Sequence, residues 1–193
     1  MFNSYKNIFS GLFAILLTSA VARAEVSYSM PSLEMGARLN TADLTGATSN
    51  KQSQAFQFGG SIVFNLGSGD VKNFGLKTGL SYVERSFKNE TGSVKTEGKI
   101  TYADIPVHLM FKFEDYAGIF IGPSFAMKMS DECTGCTGGI AGIKSTITPI
   151  TFGAQFKFAP NLGLTLFFEK AGDLATDIKD SRAVGLNLLL AFD

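Results

Sequence analysis

The chain has 193 residues, with 17 Lys plus Arg set against 17 Asp plus Glu. That length suits one domain, and the charge balance implies neither a nucleic-acid nor a strongly acidic partner. Charged residues are only 18% of the chain, below the ~25% usual in soluble domains; 18 Phe, 21 Gly and no Trp fit either a soluble β-sandwich or a membrane barrel.

The first segment decides part of this. Lys6 precedes an apolar stretch over 8–17, and Ala22-Arg23-Ala24 supplies a small-x-small cleavage pattern. Together they predict a secretory signal peptide over 1–24, followed by one domain over 25–193. The apolar stretch is shorter than the roughly 20 residues a transmembrane helix needs. Cleavage after Ala24 removes Lys6 and Arg23 and no acid, leaving 15 basic against 17 acidic groups. Beyond residue 24 no apolar run is long enough to cross a bilayer as a helix, so membrane residence would rest on strands.

From Ser32 onward apolar residues recur at every second position, the period of a strand. Taken in chain order, eight segments show it: 32–40, 54–65, 73–85, 99–113, 116–129, 146–158, 162–169 and 182–192. Most are about ten residues or longer, whereas soluble strands average ~5–6 and a tilted membrane-spanning strand needs ~9–11. One face is bulky and uncharged, with Phe56, Phe58, Leu76, Leu80, Phe152 and Leu188 among its members. The opposite face is small or polar, rich in Gly, Ser, Asn and Gln. A narrow barrel needs such an interior, with charges of both signs to compensate each other. Glu34, Asp104 and Glu169 stand there against Arg38, Lys77, Arg85, Lys112, Lys128 and Lys157. Glu34, Arg38, Lys77, Asp104, His108, Lys112 and Glu169 form the expected inward-facing polar cluster.

The connections alternate in length. Long polar stretches over 41–53, 86–98, 130–145 and 170–181 alternate with short links over 66–72, 114–115 and 159–161. Long loops outside and tight periplasmic turns are the asymmetry of outer-membrane barrels. The fold expected is therefore all-β, an eight-stranded antiparallel up-and-down transmembrane β-barrel in the outer membrane of a Gram-negative bacterium. The Gly- and Thr-rich stretch around 134–142 reads as a mobile loop.

The run 102–113, YADIPVHLMFKF, resembles the Tyr-x-(Glu/Asp)-Ile-Pro-(aliphatic) strand of the PorT-like outer-membrane β-barrel family. The segment from Tyr116 to Gly122-Pro123 resembles that family's following strand. The resemblance implies an eight-stranded outer-membrane barrel and, for most members, no known catalytic activity. Its partners would be outer-membrane lipid and the barrel-insertion machinery, reached through the C-terminal strand. Such barrels often end in an aromatic residue; here Phe192 is followed by Asp193. No nucleic-acid partner is expected, and the sequence specifies no oligomeric state.

Few residues suggest chemistry. His108 is the only histidine, and a hydrolytic site would need it paired with a nucleophile and a carboxylate. Ser81 or Ser124 could share its lumen, but Ser is common on any barrel interior. Cys133 and Cys136 lie in the third long loop without the helix of a redox CxxC and without further ligands for zinc. A local disulfide is the expected state, with free thiols as the alternative. Asp131, Glu132, Asp173, Asp177 and Asp180 lack the spacing of a calcium loop. No cofactor, metal or catalytic site is expected. The function expected is a structural or surface-interaction role; the alternatives are a lipid-modifying enzyme using His108, a small pore, and a soluble periplasmic ligand-binding barrel with its apolar face inward.

Overall fold

A computed structural model describes residues 31–46, 49–66, 73–91, 94–114, 116–136 and 139–192. The expected signal peptide and Asp193 lie outside these residues. Among the described residues, the alternating segments form eight long antiparallel strands. They are β1 (Ser32–Leu44), β2 (Ser53–Asn65), β3 (Phe74–Thr91), β4 (Val94–Glu114), β5 (Ala117–Thr134), β6 (Ile150–Ala159), β7 (Leu162–Gly172) and β8 (Ile178–Ala191). Each pairs with its neighbour in sequence. β1 also pairs with β8, from Ser32↔Ala191 to Leu44↔Ile178. The sheet closes into a barrel. Short pieces at Ser49–Lys51 and Thr146–Ile147 pair with β3 and β5 at the long-loop end.

The period of two sets which side chains reach the interior. Along β8, Val184 and Leu186 face out while Ala183, Asn187 and Leu189 are buried. The outward face is apolar around the barrel: Leu80 is 60% exposed, Phe152 51% and Leu166 56%. Near the short turns it carries aromatic pairs, Phe74 with Phe111 at 5.1 Å and Tyr116 with Phe156 at 5.7 Å between ring centroids. Interfacial aromatics of this kind are a feature of membrane barrels.

At the long-loop end the strands run further than the alternation indicates. The stretch 86–98, expected as a loop, is mostly the hairpin of β3 and β4, paired as far as Thr91↔Val94. Its outward residues include charged ones, Lys88 pairing with Glu97 at 3.1 Å, and the flanking Lys99 pairs with Glu84 at 3.1 Å. Above the hydrocarbon the outward face has no need to be greasy, so the pattern fades while the backbone ladder continues. The segment expected over 146–158 is instead divided, β6 starting only after the buried Pro149, which has no N–H to donate. Its carbonyl accepts from the Ser124 N–H at 2.8 Å.

The third loop also differs from expectation. Ile140 and Ile143 pack on an apolar cluster within the long-loop end that includes Phe87, Ile100, Tyr102, Leu174 and Ile178. The Lys144 N–H donates to the Leu174 carbonyl at 2.9 Å, and the Tyr102 hydroxyl to the Lys144 carbonyl at 3.1 Å. Glycine-rich composition hid two half-buried isoleucines. Deeper in the lumen, Phe120 lies against Gly153 and Phe167 against Gly185, with the rings where a Cβ would stand. Gly185→Val should therefore lower stability by ~1–3 kcal/mol, the usual cost of overpacking. The urea midpoint of the heat-modifiable gel shift would report it, and adding Phe167→Ala should recover part of the loss.

Candidate functional site

The interior polar face is the region where charged side chains of separate strands meet, and β1, β3, β4 and β7 carry the carboxylates and the arginines and lysine that bind them. Arg85, on β3, is its hub. Its guanidinium holds Asp104 of β4 through both carboxylate oxygens, at 2.6 and 3.1 Å. It also holds Glu169 of β7, with Nε at 3.0 Å and Nη2 at 2.9 Å. Arg38 of β1 reaches the same Glu169 at 2.5 Å and donates from Nη1 to Gln57 at 3.1 Å. One carboxylate is thereby shared by two arginines from different walls of the barrel. Arg38 and Arg85 are fully buried.

A second pair lies nearby. Lys77 of β3 meets Glu34 of β1 at 2.6 Å and donates to Gln155 of β6 at 3.2 Å. Glu34 also accepts from the Ser61 hydroxyl at 2.7 Å. Each of these three cations lies over an aromatic face: Arg38 over Phe167 at 5.8 Å, Lys77 over Phe120 at 4.7 Å and Arg85 over Tyr102 at 5.1 Å. The rings occupy lumen volume and favour positive charge on their faces.

The seven residues grouped from the sequence are not one cluster. Arg38, Asp104 and Glu169 join through Arg85, Glu34 joins Lys77, and Lys112 donates to Asn65 at 2.6 Å. His108 stacks on Phe120 with centroids 5.3 Å apart, and its Nε2 lies 3.3 Å from the Ser124 Oγ. No protein group bonds its Nδ1, so the carboxylate that would orient a catalytic imidazole is missing there. Sequence grouping left out Arg85, although the step of two from Lys77 places it on the inward face. The aromatic supports Phe120 and Phe167 carry no signal in an apolar-versus-polar pattern.

Cys133 and Cys136 are joined by a disulfide, their Cα atoms 5.8 Å apart. Cys133 packs against the apolar cluster at the loop end, which ties the end of β5 to the covering loops. Among the described residues no group of His, Cys, Asp or Glu side chains has the arrangement to hold a metal ion. The loop acids are matched by bases instead, Asp131 with Lys128 at 2.6 Å and Asp180 with Lys170 at 3.4 Å. Asp173 accepts from the Asp180 backbone N–H and from Lys179, both at 3.3 Å. Those bonds, the backbone one foremost, hold its carboxyl below the ordinary aspartate value.

No family model matches the chain, and no curated protein matches it in sequence. Solved structures do match in fold. One is Ail, the attachment invasion locus protein of Yersinia pestis, with TM-score 0.50 and 14% identity over 85% of this chain and 99% of that one. Another is neisserial surface protein A, with TM-score 0.50 and 15% identity over 86% of this chain and 99% of that one. The barrel fold is shared with these proteins.

Two predictions follow from the ion pairs. Glu169→Gln leaves Arg38 and Arg85 without their shared anion and should cost ~3–5 kcal/mol, the scale for breaking a buried pair, read as a lowered urea midpoint. Asp173 is depressed in the folded state, so its contribution to loop order is complete above the ordinary aspartate value and is lost as pH falls through the depressed one. Amide exchange at Asp180, corrected for intrinsic rates, should show protection at pH 7 that fades on acidification; Asp173→Ala should abolish it at pH 7.

Proposed function

We propose that the chain is an integral outer-membrane protein with a structural or surface-interaction role, its long loops offered to the outside and no reaction catalysed. The observation that carries this reading is the combination of an exposed apolar belt with a lumen of ion pairs. A barrel in water would place its greasy face inward; a barrel in lipid must place it outward. The resemblance of 102–113 to the PorT-like family supports placing the chain with those barrels, and 1–24 supports export through a signal peptide. Phe192, near the end of the closing strand, would serve recognition by the insertion machinery.

The rival activities have less support. Eight strands leave a lumen that side chains fill, and here Arg38, Arg85, Phe120 and Phe167 lie within it, which argues against a solute pore. An enzyme acting on lipid needs its nucleophile open to the outer face, whereas His108 and Ser124 are buried on the inward side. The chain has no native Trp, so single tryptophans can report the geometry. Leu80→Trp should be strongly quenched by brominated lipid and Val83→Trp should not. Equal quenching, or recovery of the processed chain as a soluble monomer, would overturn membrane residence. Steady conductance across a planar bilayer would overturn the filled-lumen reading.

A further inference from the structure

The disulfide between Cys133 and Cys136 has no part in closing the barrel. It bridges residues 3 apart in sequence, and the stabilisation a disulfide gives a fold grows with the loop it closes. Closure comes from the β1–β8 ladder instead. What the bridge does is local. Cys133 stands at the end of β5, where it pairs with Gly98 of β4. Gly135, at φ 80°, turns the chain back, and the bond holds the two Cα atoms 5.8 Å apart. Without it, the same stretch of chain could extend to roughly 10 Å.

Beyond Cys136 the chain folds over the long-loop end. Ile140 and Ile143 pack on the cluster that includes Phe87, Ile100, Leu174 and Ile178, and Cys133 packs against the same cluster. The Lys144 N–H donates to the Leu174 carbonyl, and the Lys144 carbonyl accepts from Tyr102. The bridge therefore fixes one end of a short tether that leads to this covering segment. It is also within reach of solvent. Both cysteines are half-buried, and a cavity of about 180 Å³ is lined by Cys133 together with Ser86, Lys99, Glu132 and Thr134. Exposed disulfides are the ones that exchange with thiols, whereas enclosed structural ones resist. The chain has no third cysteine, so no internal thiol can reshuffle the bridge. It is either closed or open.

We propose that Cys133–Cys136 is a thiol–disulfide exchange site that governs the cover of the long-loop end. Closed, it holds 140–144 against the apolar cluster; opened by a dithiol reductant, it releases them while the barrel stays intact. One thiolate of the reductant attacks a bridge sulfur, forming a mixed disulfide and expelling the other cysteine as a thiolate. The reductant's second thiolate then closes its own disulfide and expels the remaining cysteine. The bridge is reduced, the dithiol is oxidised, and its two protons pass to the two cysteines. The device goes beyond the surface role proposed above, since it acts whatever the loops bind.

Dithiothreitol, an uncharged dithiol, tests this on the whole folded barrel in lipid nanodiscs. Both cysteines should become open to a maleimide label while the unboiled gel still shows a folded barrel. Amide exchange at Lys144 should then rise roughly tenfold or more, as expected of local opening, with the β8 amides unchanged. Cys133→Ser/Cys136→Ser should show the fast exchange without reductant and no response to it. A bridge that stays closed in the folded barrel, under conditions that open it in the urea-unfolded chain, would overturn the proposal. So would an opened bridge with Lys144 exchange unchanged, or acceleration shared by β8, which would mark a staple of the whole barrel. Reduction of the wild type, folded beforehand, decides the question even where the double variant fails to fold.

Discussion

The pairing of β1 with β8 is the constraint on which the rest depends. In hydrocarbon an unpaired backbone N–H or carbonyl has no water to turn to, so a spanning sheet must have no edge. Register from Ser32↔Ala191 onward supplies that closure. Eight strands fix a narrow circumference, and the narrow circumference fixes what can lie inside. Outward positions answer to lipid and inward positions to one another. The division between Leu80 or Leu166 outside and Arg38 or Arg85 inside follows from this geometry, not from any ligand.

Charge in so narrow a lumen is stable only when paired, since an isolated buried ion is far costlier than a satisfied one. The barrel meets this need by reaching across its own diameter. Glu169 on β7 is bonded from β1 and β3, and Glu34 on β1 from Lys77 on β3. Phe120, Phe167 and Tyr102 then provide faces on which the cations rest. Gly153 and Gly185 make room for two of those rings. Glycines on a strand face, which read in sequence as mere smallness, are the complement of large neighbours on adjacent strands.

Most of the fold was legible because lipid imposes the strictest pattern in the chain. Where lipid stops, so does legibility. Strand β3 continues past Ser86 with Lys88 and Glu90 outward, a run that hydropathy cannot tell from a loop. Pro149 divides the segment expected over 146–158, and the apolar alternation begins only after it, at Ile150. The folding-over of Ile140 and Ile143 was hidden for another reason, because isolated isoleucines in a glycine-rich stretch have no period to betray them. At the interior, parity along a strand gives a residue's face but not its distance to others across the lumen. That is why Lys112, on the right face, bonds Asn65 near the turn end, while Arg85 became the hub.

The YADIP segment shows what such a motif can encode. Tyr102, Asp104 and Pro106 all face inward and are buried. Tyr102 supports Arg85 from the loop side, touching the apolar cluster above, and Asp104 binds the same guanidinium from within. Three alternating residues thus join the apolar cluster of the long-loop end to the charged layer beneath it. Pro106 withholds one N–H from the ladder, and pairing between β3 and β4 lapses between Thr78↔Val107 and Ser81↔Asp104. A buried ion pair is weak evidence for added stability, but its directional bonds are strong determinants of arrangement. The motif is therefore best understood as fixing how two layers of the lumen meet.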